Sequence, residues 1–341
     1  MPSIITHYLC GTKTWDLLGE WPLKDIISQN RLVFNLGTQG PDILFYHRVW
    51  PWAKKEGINK IGEIMHQDQV NAFFSHAIEY IIKQDLKERN MLTAYLSGYI
   101  CHYALDFHTH AYIFYKTGFI RSGDPATSKY TYYHRVFETV LDVVMLKLTL
   151  EKKPIDINIP RLLQVTPDNA LSIGRLYQSA LNGCNQKITA DQVAEGIKDM
   201  VSVQNILRDR LGIKKALLSC LERTLGNYPL MASMIYPTKI RDKLDYLNEK
   251  KNTWYLPWDP TLCSTLSFPE MFHQAAAAAK EMAEIIYCCI TGNVDKETAL
   301  GILGNRSFST GLDCRENPDF IAFNCIFEEN PQKNTNLKIF R

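Results

Sequence analysis

The stretch Cys101-His102-Tyr103-Ala104-Leu105-Asp106-Phe107-His108-Thr109-His110 is where the fold is decided. It lies in an apolar run, Leu92 to Tyr115, that contains no proline and one glycine, Gly98. That length and composition predict a buried helix in preference to a strand. On a helix, His102, Asp106 and His110 stand at i, i+4 and i+8, each displaced from the last by only about 40°. Two imidazoles and a carboxylate then project from one face of a hydrophobic element. Burying three such groups unpartnered is costly, and a divalent metal is the simplest partner; zinc accepts both ligand types. A hydrogen-bonded core histidine beside a local His–Asp pair is the plainer reading, and the triplet alone leaves both open. His108 points about 240° away from His102 and falls outside the face.

Working outward toward the N-terminus, a helix with Ile4, Ile5, Tyr8, Leu9, Leu17 and Leu18 on its apolar face is expected over residues 1–20. It carries His7. A short helix follows from Leu23 to Ser28, then the glycine- and proline-containing turn Leu36-Gly37-Thr38-Gln39-Gly40-Pro41-Asp42-Ile43. Asp42 is its one ionisable group, and an N-cap is the simplest alternative role. An aromatic loop holds Phe45, Tyr46, His47, Trp50 and Trp52, able to line a pocket or pack on the bundle. One helix is expected from Ile61 or His66 to about Arg89, with His66 at or near its start.

Toward the C-terminus, Gly118 to Tyr130 reads as a loop. The next helix carries Tyr133, Val136, Phe137, Val140, Leu141, Val144 and Leu148, with His134 and Glu138 at i, i+4. That pair is ligand-capable, or else an exposed pair of little consequence; Asp142, one turn on, is a spare candidate. Past Pro154, helical patterns run over 167–182 and 189–226, with a further helix expected at 238–250. Trp254 to Pro260 reads as a rigid aromatic loop. Five alanines at 275–279 mark a helix over Phe268–Ile290. No strong hairpin signal is present, so the expected fold class is all-α. The expected division is a ligand-bearing core at 1–150, C-terminal helices packed on it at 160–305, and a weakly structured tail at 306–341.

Composition narrows the function. Of 341 residues, 46% are hydrophobic and 22% charged, ordinary for a globular chain. A net charge of +2 gives no electrostatic case for nucleic acid or an anionic surface. No apolar run suits a membrane span, and the N-terminus lacks the features of a signal peptide, so a cytoplasmic location is expected. Nine scattered cysteines, with no CxxC pair, suggest neither a zinc ribbon nor a thioredoxin-like site. Eight of the nine histidines lie in the first 140 residues, leaving only His273 beyond. That asymmetry is natural if the first part of the chain builds a metal cluster.

The ordered set is His7, Asp42, His66, His102/Asp106, His110 and His134/Glu138. An early His, an Asp in a Gly-rich loop, a His, an HxxxD followed closely by His, then an HxxxE resembles the zinc-dependent phospholipase C and S1/P1 nuclease group. These are helical enzymes with three clustered zinc ions, and the resemblance covers about residues 1–150. The opening and the Gly-Pro-Asp-Ile turn look most like the bacterial branch of zinc-dependent phospholipase C domain proteins. The resemblance implies a multi-helix bundle with an additional helical C-terminal half. It further implies that His66, His102 and Asp106 hold one zinc, and that His110, His134 and Glu138 hold a second. Asp106 would bridge to a third shared with His7 and the amino end, giving two or three ions in all. Asp42 would orient or deprotonate the attacking water.

Three departures qualify the resemblance. No processed N-terminus is evident, so the third site would depend on Met1 or Pro2. Asp106 and His110 are closer than in the secreted enzymes. Ile43 stands where the choline-lipid enzyme has an aromatic residue. The expected function is a zinc-dependent phosphodiester hydrolase acting on a phospholipid-like or other phosphodiester. An S1/P1-type nuclease is the alternative within catalysis, although the neutral charge balance does not favour nucleic acid. A non-catalytic, metal-stabilised interaction module is the alternative outside it.

Overall fold

The computed structural model describes residues 4–121, 123–226, 228–238, 240 and 244–328. The chain is mostly helical, as expected. Its helices are α1 (Ile4–Leu17), α2 (Pro22–Gln29), α3 (Arg31–Gly37), α4 (Ile58–Gln67), α5 (Val70–Ile82), α6 (Leu86–Thr117) and α7 (Lys129–Leu150). Then come α8 (Ile159–Leu163), α9 (Pro167–Gly183), α10 (Ala190–Leu207), α11 (Ile213–Thr224), α12 (Leu230–Ser233), α13 (Phe268–Ile290) and α14 (Lys296–Leu303).

Helix α6 is the axis of the molecule. Its 32 residues span about 48 Å at 1.5 Å per residue. The Asp85 side chain starts it by accepting from the Glu88 amide at 3.0 Å, and Gly118, at φ 79°, ends it. Between Met91 and Thr117 nearly every side chain is buried, because helices α1, α2, α3, α5, α7, α9 and α13 pack around it. A helix enclosed on all sides is apolar all round and shows little amphipathic periodicity. The closest approach is to α3, where a Cβ on Gly98 would lie 2.2 Å from the Phe34 carbonyl oxygen. Only glycine there lets α3 come close enough to hold the Asp42 turn against α6.

Several boundaries differ from the sequence expectation. The helix expected over Ile61–Arg89 is two: α4 and α5 part at Asp68-Gln69, with Gln69 at φ 54°. His66 therefore sits in the last turn of α4 and not at a helix start. Gly212, at φ 73°, likewise splits the expected 189–226 helix into α10 and α11. No helix forms among the described residues of 238–250; residues 239 and 241–243 of that range lie outside them. The aromatic loop at Trp254 is an antiparallel hairpin, β1 (Trp254–Leu256) with β2 (Asp259–Ser264), closed by Pro257-Trp258. A Pro-Trp turn with a bulge beside it lacks the Asn-Gly type of signal that marks hairpins in sequence.

One continuous hydrophobic core runs from Ile4 to Phe308 and draws on all three expected segments. The 306–328 segment has no helix or strand, only an isolated bridge between Arg306 and Asp313, yet Phe308 is fully buried. Residues 329–341 of the expected tail lie outside the described residues.

Candidate metal centre

Five elements bring the eight sequence-selected side chains together. Helix α1 supplies His7, the 3-10 turn Gly40–Tyr46 supplies Asp42, and the last turn of α4 supplies His66. Helix α6 supplies His102, Asp106 and His110, and α7 supplies His134 and Glu138. Gly40, at φ 51°, opens the 3-10 turn, and Pro41 follows it. A Cβ on Gly40 would lie 2.5 Å from His102 Cδ2, so the turn presses onto the imidazole in a way only glycine permits.

Three groups of potential ligands result: His7, His102 and Asp106; Asp42, His66 and His102; and His110, His134 and Glu138. Within each group the ligand atoms all lie within 4.8 Å of one another. Asp106 is the hub. Its Oδ1 is 3.3 Å from His7 Nε2 and 3.6 Å from His110 Nδ1, and its Oδ2 is 3.1 Å from His102 Nε2. Asp42 Oδ1 lies 3.2 Å from His66 Nε2. Glu138 Oε1 lies 3.0 Å from His134 Nε2 and 3.5 Å from His110 Nε2. The resemblance placed Asp42 outside the ligand sets; the geometry puts its carboxylate among them, with His66 and His102.

Backbone carbonyls set the tautomers of three rings. His66 Nδ1 is 2.6 Å from Gly62 O, His102 Nδ1 3.2 Å from Thr38 O, and His110 Nδ1 3.0 Å from Phe308 O. A carbonyl only accepts, so each Nδ1 carries a proton, and in the neutral ring Nε2 is the nitrogen with a lone pair to give a metal. The same arrangement fixes metal-ligating histidines in general. Sequence reading found none of these partners, since a backbone carbonyl leaves no mark on residue type.

The electrostatics suit a cation. Burial, then the neighbouring His102, lowers His7 to about 3, keeping its ring neutral and able to ligate. Against the effect of burial, His110, His102 and His7 hold Asp106 ionised below its usual range. His134 and His110 do the same for Glu138, well below the usual carboxylate range. Burial would lower His110, but Asp106 and Glu138 raise it to about 9, as expected of a cationic position between two carboxylates. Five polar atoms of the cluster are buried without a hydrogen-bond partner: His7 Nδ1, Asp42 Oδ2, His102 Nε2, His134 Nδ1 and Glu138 Oε2. His102 Nε2 lies 3.1 Å from Asp106 Oδ2 but has no proton to donate while the ring is neutral and Nδ1 donates to Thr38 O. Groups so dry and so poorly paired fit a bound metal, which would satisfy them at once.

The chain also matches a known family. The sequence model of a family described as zinc dependent phospholipase C matches residues 6–200. This protein belongs to that family. No curated protein and no solved structure matches the chain. The matched span contains all eight cluster residues and stops short of α11, α13 and the 306–328 segment.

Other candidates fall outside the centre. His108 bonds back to Ala104 O at 2.8 Å, off the cluster face as expected. Asp142, the spare candidate, binds the start of α1: it accepts from the amides of Ile5 at 2.9 Å and Thr6 at 2.6 Å, the Thr6 hydroxyl at 2.6 Å and the Tyr236 hydroxyl at 2.7 Å. Of the aromatic loop, Phe45 stacks on His66, with centroids 5.6 Å apart. Trp50 instead donates to Asp199 of α10 at 2.8 Å, and Trp52 stacks outside it.

Sequence reading missed Arg135, which borders a cavity of about 660 Å³ together with His134, Phe114, Phe119, Tyr130 and Phe320. Its Nε is buried without a hydrogen-bond partner, and Glu138 and Glu222 are near enough to act on its charge. Of the cluster, His134 lines this cavity. His66, His110 and His134 retain 12–17% side-chain exposure, whereas the other five side chains retain 4% or less.

Proposed function

We propose that this protein is a zinc-dependent phosphodiester hydrolase of the phospholipase C type, in which activated water displaces the alcohol from a lipid-like phosphodiester. One observation carries the reading. Three groups of His and carboxylate ligands, linked by Asp106 through its approaches to His7, His102 and His110, lie beside a cavity bordered by His134, aromatic side chains and Arg135. Asp42, His66 and His102 would hold one zinc, and His110, His134 and Glu138 a second. Asp106, having two oxygens, would join the first of these to a third held with His7. Zinc, when bound, supplies Lewis acidity and makes water acidic enough to act as a nucleophile near neutral pH.

The remaining chemistry belongs to the chain. Asp42 keeps one oxygen unpartnered and can take a proton from the attacking water. Arg135 balances the negative charge of the phosphodiester in a cavity whose other charged liners, Asp68 and Glu316, are exposed. Phe114, Phe119, Tyr130 and Phe320 give an apolar group of the substrate a dry wall.

The test is to assay the zinc-loaded protein on bis(p-nitrophenyl) phosphate, phosphatidylcholine, phosphatidylethanolamine and single-stranded DNA. Hydrolysis of the small diester and of lipid, abolished by a chelator and restored by zinc, is expected. Ile43 is buried and offers no aromatic face, so neither lipid is expected to be preferred by more than about tenfold. A preparation holding two or more zinc ions that turns over none of these would overturn the reading.

A further inference from the structure

Helix α11 has no buried residue along its whole length. Ile213, Leu217 and Leu221 stand at i, i+4 and i+8 and are 54%, 67% and 57% exposed, with Leu211 at 78% and Leu225 at 69% bracketing them. Tyr228 and Met231, also exposed, extend the patch. A soluble face seldom gathers so many large apolar side chains in one stripe. At about 100° per residue, Lys214 borders the Leu221 edge of that stripe, its ammonium donating to the carbonyls of Ile206 and Arg208, and Arg223 lies beyond the Ile213 edge. Arg208 and Arg210 add exposed positive charge at the helix entrance.

The acidic residues nearby do not cancel this charge. Asp209 is turned to the Lys215 amide, and Glu222 accepts from the amides of Met231 and Ala232. Neither is fully exposed. We propose that α11 is a membrane-docking helix, lying in the plane of an anionic lipid surface with its leucine stripe among the acyl chains and its basic flanks on the headgroups. An apolar face edged by Lys and Arg is the pattern of helices that lie at a bilayer interface. Among the described residues no helix is long and apolar enough to cross a membrane, so contact would be from one side. A second copy of the chain fits poorly, because a two-fold contact would set these basic flanks against each other.

The placement connects the patch to the metal centre. Helix α11 packs on α12, which packs on α7, the carrier of His134 and Glu138. Lys215, Ser219 and Arg223 share a cavity of about 360 Å³ with Tyr132, Tyr133 and Val136 of α7. Ile120, 61% exposed, edges the cavity beside His134. Docking deepens the hydrolase reading by naming where a lipid substrate is met, and rests on that reading only in this respect.

The experiment is co-sedimentation of the zinc-loaded full chain with vesicles of phosphatidylcholine alone or of equimolar phosphatidylcholine and phosphatidylserine. The parent is expected to pellet with the anionic vesicles, less so as salt is raised. Leu217→Ser/Leu221→Ser should lower the apparent affinity by at least about tenfold. Lys214→Glu/Arg223→Glu should abolish the preference for anionic vesicles. Hydrolysis of bis(p-nitrophenyl) phosphate in solution should be unchanged in both variants. A parent that stays in the supernatant with both vesicles, or a Leu217→Ser/Leu221→Ser variant that pellets like the parent, overturns the proposal. So does a parent that sediments as a dimer, without vesicle binding, when the serine variant is a monomer. Vesicle binding without hydrolysis of any phosphodiester would sustain the docking helix and sink the hydrolase reading alone.

Discussion

Asp106 touches three histidines from one fully enclosed carboxylate, whereas Glu138, among the described histidines, meets His110 and His134. Zinc stoichiometry at one fixed free-zinc level should separate them. Asp106→Asn should weaken two sites and Glu138→Gln one, while His108→Ala, bonded back into α6, should weaken none. Equal losses for the first two would remove the bridge. Arg135 makes a separate prediction. Arg135→Met should lower kcat/KM for a phosphodiester by about ten- to hundredfold, the worth of a hydrogen bond to a charged group at ~1.5–3 kcal/mol. Zinc content should not change, and added guanidinium should restore part of the rate. A variant with parental kinetics would leave the cavity without its anion site.

At the scale of elements, the entrance of α1 decides where His7 points. A helix leaves its first amides in need of a capping acceptor. Asp142 of α7 takes that part from across the molecule, meeting two of the first amides that a helix leaves unpaired. Burial pushes the Asp142 carboxyl up to about 6, while its four donors favour the anion. Asp142→Ala leaves those donors buried and unmet, an expected cost of about 2–3 kcal/mol read as a lower urea midpoint. Because α1 then loses its anchor to α7, zinc held through His7 should be lost before the zinc held by α7 itself. Retention of all zinc in a destabilised variant would show that α6 alone places His7.

At the scale of the whole molecule, residues far outside the 1–150 core complete the centre. Phe308 is fully buried against His66, His102 and Tyr103, its carbonyl orients His110, and its amide donates to His66 O at 2.9 Å. Phe308→Ala should cost about 3–5 kcal/mol as a large core truncation. It should also loosen zinc, measured as faster release to a chelator, because His66 and His102 lose the aromatic ring packed against theirs. Chelation of the parent should itself lower the melting temperature, since a metal bound at 100 times its Kd adds about 2.7 kcal/mol to the folded state. An unchanged melting temperature after complete zinc removal would show that the helices hold the cluster without help.

The sequence by itself determined the helical fold and the eight residues of the centre. His102, Asp106 and His110 are legible because helix geometry converts spacing directly into a shared face. His134 and Glu138 are legible for the same reason, and Asp42 because its turn is written in glycine and proline. The break between α4 and α5 was not legible, because nothing in the residue types of Asp68-Gln69 demands the left-handed conformation that Gln69 adopts. Nor could spacing show that Asp42 joins His66 and His102, that Asp142 caps α1, or that Phe308 O orients His110. Those pairings join residues from 24 to 198 positions apart. Local periodicity is a property of one helix, whereas such contacts arise only when separate helices pack, and the tertiary structure alone decides them.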